Sequence, residues 1–422
     1  MSREMVNSGI PWIGEIPKGW EIRKVKDVFV RKNEKAHQDN PVILSLARAG
    51  VKVRDVSTNE GQMAESYYDY NPVEPFDLLV NPMDLYSGAN CSMSLVSGVI
   101  SPAYVNLRAK GGVCSRFYDY YFKTQYWSMA FFAHGKGISF DNRWTLGVDT
   151  LFRYNVPFPS VLEQQKIASF LDGKCAEIDE MITLQEKIVE ELKAYKQSVI
   201  TEAVTKGLNP DVPMKDSGIE WIGEIPEHWE VCRLKNVFRL KTGTTPDGYD
   251  VIGEGDKIAW FTPSDISDEG NVLYDSERTL LKSAVGEVEL FPIGSIMFVG
   301  IGASAGKLGY TNIEGYSNQQ ITALIPNGVN GKYFYYFLIA DKRRLKDNAF
   351  FTTLPIINNG YLSQNKMLCP PSCVQNEIAD YLDTKCTEID NLISIKLSKI
   401  DSLKEYKKSI IYEYVTGKKE VE

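Results

Sequence analysis

The side chains best placed to make specific contacts are amides, hydroxyls and scattered cations in loop-like segments. Their chemistry is hydrogen bonding to base edges: arginine and lysine suit guanine, asparagine and glutamine suit adenine, and serine and threonine adapt to either. In the first half of the chain the candidates are Arg48, Lys52, Arg54, Asn81, Asn90, Lys136, Asn142 and Arg143. In the second half they are Thr244, Thr245, Lys257, Ser264, Ser304, Lys307, Asn318, Gln319, Gln320 and Asn358. Asn318-Gln319-Gln320, set between two strand-like runs, is the densest cluster. Each residue taken singly is also what an ordinary solvated loop contains, so the pattern carries the reading. Lys342-Arg343-Arg344 lies on a helix and can reach phosphate, although exposed helix charges commonly do nothing specific.

Catalytic groups are missing by comparison. Gly300-Ile301-Gly302-Ala303-Ser304-Ala305-Gly306-Lys307 looks briefly like a nucleotide loop. A phosphate-binding loop needs Gly at 301 and Ser or Thr at 308, where this chain has Ile and Leu. A dinucleotide fingerprint should open a helix, whereas Lys307-Leu308-Gly309-Tyr310-Thr311 is strand-like. A glycine-rich turn allowing close backbone approach is the better reading. The Asn-Pro pairs at 71, 81 and 209 do not continue into the Pro-Tyr/Phe of an adenine methylase loop. Neither Pro210-Asp211 nor Pro246-Asp247 has a nearby Asp/Glu-x-Lys partner for a nuclease centre. Three histidines and seven cysteines, none spaced Cys-x-x-Cys, supply neither a hydrolytic triad nor a zinc site. No catalytic residue, metal or cofactor is expected.

The bulk numbers set the frame. A chain of 422 residues makes two or three domains, and 43% hydrophobic with 24% charged residues is ordinary for a soluble globular protein. No apolar run is long enough to cross a membrane, and Met1-Ser2-Arg3-Glu4 does not begin a signal peptide. A cytoplasmic location with reduced, mostly buried cysteines is expected. The net charge of −8 does not by itself point to nucleic acid, because phosphate neutralisation favours basic chains. A DNA-binding role would need local basic patches or a partner's help.

The chain is written twice. Residues 8–29 (SGIPWIGEIPKGWEIRKVKDVF) and 217–238 (SGIEWIGEIPEHWEVCRLKNVF) agree at 14 of 22 positions. Residues 167–205 and 378–416 agree, without a gap, at 19 of 39. The intervening stretches, about 30–158 and 240–370, match poorly. A frame that repeats around insertions that differ fits a scaffold presenting two different readers.

The repeated 167–205 and 378–416 segments predict long helices. Leu171, Cys175, Ile178, Ile182, Val189, Leu192 and Val199 form one heptad seam; Leu382, Cys386, Ile389, Ile393, Ile400, Leu403 and Ile410 form the other. Gln185 and Lys396 occupy the same seam position, where a polar residue fixes register. The two helices are expected to pack antiparallel within one chain, with Cys175 and Cys386 as small core fillers. A plain amphipathic helix on its own domain is the alternative. Gly207 and Pro210 end the first helix and open a linker. Both insertions read as α+β. The first has strands at Pro41–Leu46, Asp77–Val80 and Val99–Leu107 and a helix from Ser115 to about Phe132. The second has strands at Ile258–Phe261, Ser295–Val299 and Ile321–Ile325 and a helix from Lys332 to about Asn348.

These features together resemble the specificity subunits of type I restriction–modification systems. The resemblance is carried by Trp221-Ile222-Gly223-Glu224-Ile225-Pro226 with Trp229 and Leu234-Lys235, by Lys241-Thr242-Gly243-Thr244-Thr245-Pro246, and by Trp260-Phe261-Thr262-Pro263-Ser264-Asp265. The run from Pro157 through Glu163-Gln164-Gln165 to Leu171-Asp172 resembles the approach to the family's conserved helix. Cys373-Val374-Gln375-Asn376 departs from it, lacking the Glu and looking one residue short. The resemblance implies a tandem pseudo-twofold α+β fold, with two globular target-recognition domains separated by two long antiparallel coiled-coil helices. Its segments would be 1–158, a central helix at 159–208, a second target-recognition domain at 209–370, and a C-terminal helix at 371–422.

It also implies a non-catalytic DNA-binding subunit. Each domain would read half of a bipartite double-stranded site, and the helices would set the spacer and dock methylase (M) subunits. Restriction (R) subunits would join through the methylase. The alternative from another class is a coiled-coil scaffold binding proteins rather than DNA.

Overall fold

The computed structural model describes residues 3–47, 50–55, 64, 66–86, 90–137, 144–245, 256–282, 285, 288–347, 350–351 and 355–421. The chain divides into two compact units, residues 1–186 with 398–422 and residues 187–397.

In the first unit, strands β1 (Phe29–Lys32), β2 (Leu78–Val80), β3 (Cys91–Met93) and β4 (Val105–Ala109) form an antiparallel sheet in the order β1-β4-β2-β3. Helix α1 (Ser115–Trp127) turns Phe117, Tyr118, Tyr121 and Phe122 inward, and the Tyr118 ring meets Phe29 of β1 edge-on at 5.3 Å. The helix stops short of Phe132 because Met129 takes φ 60; a new turn then begins at Ala130. The predicted strand Val99–Leu107 is likewise two strands, Gly98–Ile100 and β4, split by a turn closed by Tyr104 N–H on Ser101 O. The long helix α2 (Val161–Lys206) begins in this unit.

The second unit repeats this plan. Strands β5 (Phe238–Thr242), β6 (Asn271–Leu273), β7 (Ile296–Val299), β8 (Leu308–Thr311) and β9 (Ile321–Pro326) lie in the order β5-β9-β7-β8-β6. The first four positions reproduce the other sheet strand for strand, and β6 adds a parallel edge. Helix α3 (Gly331–Asp347) takes the place of α1, and α4 (Ser372–Val415) is the second long helix. The insertions therefore share a fold that their sequences do not display. Their inward strand positions need only be apolar and of suitable volume, so residue identity drifted while topology held.

Each domain is closed at its neck by one antiparallel strand pair. Glu21–Lys24 pairs with Asn155–Phe158, and Glu230–Arg233 with Lys366–Cys369. The second pair corrects the expectation that all cysteines are reduced. Cys232 and Cys369 are diagonal neighbours in this register, with Cα atoms 6.2 Å apart, and their sulfurs are bonded. They lie 137 residues apart in sequence, so spacing gave no sign of the pair. Cys91, Cys114, Cys175, Cys373 and Cys386 are free. Burial pushes the Cys386 thiol up to about 11 and raises that of Cys175, as befits inert fillers.

The long helices pack antiparallel within each unit. In the first, the Phe170 ring of α2 meets Tyr414 of α4 at a tilt, centroids 4.5 Å apart, and Asp179 pairs with Lys407. In the second, Ile200 and Val204 of α2 share a buried cluster with Ile378, Leu382 and Cys386 of α4. Most predicted seam residues are buried; Leu192, Val199, Ile393 and Leu403 are half-buried.

Two glutamines fasten the helix starts to their domains. Buried Gln164 accepts from Cys114 N–H at 3.0 Å and donates to Pro159 O at 2.9 Å. Gln375 accepts from Asn330 N–H at 3.0 Å and donates to Pro370 O at 2.8 Å. Gln375 is thus the counterpart of Gln164, which corrects the impression that the second copy is one residue short. The flanking residues are replaced, Glu163 by Val374 and Gln165 by Asn376.

Candidate nucleic-acid interface

The second domain gathers polar side chains where β5 ends and β9 begins. Gly243 N–H donates to Ile321 O at 2.9 Å. A Cβ at Gly243 would lie 2.2 Å from Ser317 Oγ and 2.4 Å from Asn318 O, so only glycine allows this approach. Asn318 folds onto its own turn: Oδ1 accepts from Gln320 N–H, and Nδ2 donates to Gln320 Oε1, both at 3.1 Å. The Thr245 hydroxyl donates to Gln319 Oε1 at 2.6 Å.

Asn359 bridges the two strands. It donates to Thr242 Oγ1 and accepts from Thr322 Oγ1, each at 2.8 Å. Asn358 caps the following short helix by accepting from Tyr361 N–H. The glycine-rich turn binds both neighbours, since Gly300 N–H donates to Gln320 O and Ile357 N–H to Gly300 O, both at 2.8 Å. The sequence reading of that turn as a close-approach device fits these contacts.

The first domain brings together the counterparts of these loops. Asn90 Nδ2 donates to Ala47 O at 3.0 Å, and Asn81 N–H donates to Asn90 O at 2.9 Å. Lys136 and Thr145 exchange backbone hydrogen bonds, and Leu146 N–H reaches Pro82 O at 2.8 Å. This last bond corresponds to Ile357 on Gly300. The Ser101–Tyr104 turn occupies the place of Asn318–Ile321.

Several cations are consumed inside the domains. Asp77, its side chain fully buried, takes Lys32 and Arg108; Asp119 takes Arg116 and Lys123; Asp341 takes Arg344. The hydrogen bond from Arg108, with Lys32 nearby, also holds the Glu74 carboxyl below its usual range. Among the described residues there is no cluster of three or more His, Cys, Asp or Glu able to hold a metal, and no helix long and apolar enough to cross a membrane.

Comparison with known proteins shows what the chain is similar to. The model of the type I restriction modification DNA specificity domain matches residues 226–417, the second copy with its helix. The type I restriction enzyme MjaVIII specificity subunit of Methanocaldococcus jannaschii is 26% identical, over 96% of this chain and 93% of its own length. The putative MjaX specificity subunit of the same organism is 23% identical over 96% and 95%. The second half of the chain thus matches the DNA specificity domain, and the whole chain is similar to specificity subunits of type I restriction–modification systems. The fold agrees. A chain from a study of assembly and conformational transition of the type I R-M system superposes with a TM-score of 0.75 at 15% identity, covering 96% of this chain and 99% of that one. The HsdS subunit from Thermoanaerobacter tengcongensis gives 0.52 at 15% identity, covering 96% and 98%.

In this chain the sequence-chosen residues fall into distinct places. Thr244, Thr245, Asn318, Gln319, Gln320 and Asn358 lie at the polar edge just described, and Ser264 sits in a turn beside it, bonded to Thr262 at 2.8 Å. Lys257 starts the strand whose far end reaches that edge, roughly 13 Å away at about 3.3 Å per residue. Ser304 is half-buried in the glycine turn. Lys307 is held by Ile266 O and the Asp268 carboxylate, each at 3.2 Å. In the first domain Asn81, Asn90 and Lys136 border converging loops, while Lys52 is exposed and Arg54 half-buried along the Gly50–Val53 hairpin. Arg48, Asn142 and Arg143 lie outside the described residues. Sequence reasoning missed Thr242, Thr322 and Asn359. The Asn358-Asn359-Gly360 run is the local signal that points to Asn359.

Proposed function

We propose that each α+β domain reads one half of a bipartite double-stranded DNA site, as the non-catalytic component of a type I restriction–modification complex acting in the cytoplasm. The observation that carries this reading is a shared topology whose equivalent loops bear different side chains: Asn318-Gln319-Gln320 stands where the other domain has Ser101-Pro102-Ala103. One fold with two side-chain sets suits two different half-sites. The division proposed is 1–158 and 209–370 for the readers, with 159–208 and 371–422 setting the spacer. Half-sites read from one face of DNA lie about 34 Å, one helical turn, apart.

The same proposal puts methylase subunits on the long helices and restriction subunits beyond them. Supporting it, the repeat leaves apolar residues exposed at equivalent helix positions. Met181, Leu184 and Tyr406 are exposed in one unit, and Leu392, Ile395 and Tyr195 in the other. Partner subunits would also share phosphate neutralisation, which a chain of net charge −8 needs.

The test is a genome-wide map of N6-methyladenine in the host, with and without the gene. Loss of one asymmetric bipartite motif on deletion supports the reading. Identical maps, with a co-purifying methylase active in vitro, would instead favour a scaffold that binds proteins.

A further inference from the structure

The polar edge of the second domain is rich in amides. Thr242–Thr245, Gly300–Gly302, Ser317–Thr322 and Pro355–Gly360 converge there. The described residues that meet there include no lysine or arginine, while Lys241 precedes Thr242 and Lys346 lies against Gly306. Lys307, next in sequence after the glycine turn, is tied to Asp268.

Two exposed carboxamides are pre-set. Thr245 fixes the Gln319 carbonyl oxygen, and Asn318 fixes that of Gln320. Among the described residues neither Nε2 group has a hydrogen-bond partner. Each glutamine thus offers an oriented donor together with a carbonyl oxygen that can accept a second bond. That adjacent donor and acceptor match adenine N7 and N6–H in the major groove. Guanine instead presents two acceptors there, N7 and O6, which arginine or lysine satisfies best. Side chains already held by neighbours lose little further freedom on binding.

We infer that the second domain recognises adenine, with Gln319 and Gln320 as the base-reading residues and Thr245 and Asn318 positioning them. The inference rests on the proposal that this domain reads DNA, and it adds which base. The half-site assigned to this domain should then be specified by A·T pairs at the positions these glutamines face. No guanine there should be read through a cation.

The experiment is the methylation map of the host carrying Gln319→Ala, Gln320→Ala, Gln319→Arg or Thr245→Val in place of the native gene. Unchanged thermal midpoints of the purified complexes would show that folding is intact, as expected for exposed side chains. Gln319→Ala should make one A·T position of one half-site degenerate, its preference falling from about ten-fold towards none. The spacer and the other half-site should stay as they were. Gln319→Arg should turn the same position towards guanine. Thr245→Val should weaken selection at that position alone, a readout that a merely structural role would not produce. Relaxation at a G·C position, or motifs unchanged in both glutamine-to-alanine variants, would overturn the adenine assignment while leaving the DNA-reading function standing. A map in which no motif depends on the gene would remove that function and the assignment with it.

Discussion

Lys196 Nζ lies 2.8 and 2.7 Å from the two carboxylate oxygens of Asp390, and the repeat reproduces this pair as Lys407 with Asp179 at 2.7 and 2.6 Å. In one pair the lysine belongs to α2 and the aspartate to α4; in the other the roles are exchanged. Each pair joins antiparallel helix halves within its own unit. The two are partly exposed, so each should contribute no more than about 1 kcal/mol. Lys196→Asp should therefore cost little more than that in a urea titration, and adding Asp390→Lys should recover most of it. A double variant no more stable than the sum of the singles would mean the pair does not couple.

Gly243 admits no side chain, because the atoms a Cβ would meet include two backbone oxygens. Gly243→Ala should lower stability by about 1–3 kcal/mol, the usual cost of forcing atoms into a packed site. It should also push Thr242 and Thr245 away from the amide turn. Chemical denaturation measures the first effect, and degeneracy confined to one half-site of the methylation motif measures the second. An unchanged midpoint would show that the strand end gives way freely.

Phe76 occupies a left-handed turn, φ 72, at the place where the second domain has Gly294 at φ 86. It is 63% exposed, so its ring recovers little by burial. Phe76→Gly should be neutral or stabilising by up to about 1 kcal/mol, as relief of the left-handed strain outweighs the added freedom of the unfolded chain. A clear loss in thermal midpoint would show that the ring makes a contact worth more than the strain.

Burial holds the Asp341 carboxyl above the usual aspartate range, against the pull of Arg344. The folded protein then keeps this proton to higher pH than the unfolded chain does. Its contribution to stability is present at low pH and is lost as pH rises from the ordinary aspartate value through the raised one. Glu74, lowered mainly by Arg108, acts in the opposite sense: its contribution is present above the ordinary glutamate value and is lost as pH falls. Asp341→Asn should abolish the first decline. Urea midpoints of both proteins from about pH 3 to about pH 6 test this, and parallel curves would contradict it.

The frame was legible in the sequence because its constraints are local. Trp-Ile-Gly-Glu-Ile-Pro forms the same hairpin end twice, and the heptad seams are buried largely where the apolar spacing put them. The common topology of the insertions was not legible. Strand order depends on pairings such as Leu107 with Leu78 and Leu324 with Ile296, which no local pattern records. The site was half legible for the same reason. Asn318-Gln319-Gln320 stood out as a run, whereas Thr242, Thr322 and Asn359 become a group only through hydrogen bonds spanning 37 to 117 residues. The Cys232–Cys369 bond was hidden in the same way.

The neck of each domain has a consequence for how such a chain can change over generations. The polypeptide enters and leaves the domain through one hydrogen-bonded strand pair, and one glutamine fastens the following helix to it. Everything beyond the neck can be rewritten without altering how the helix begins. Each domain is thus an exchangeable cassette, and a crossover between genes that falls within the two neck strands would deliver a new reader already joined to the old frame.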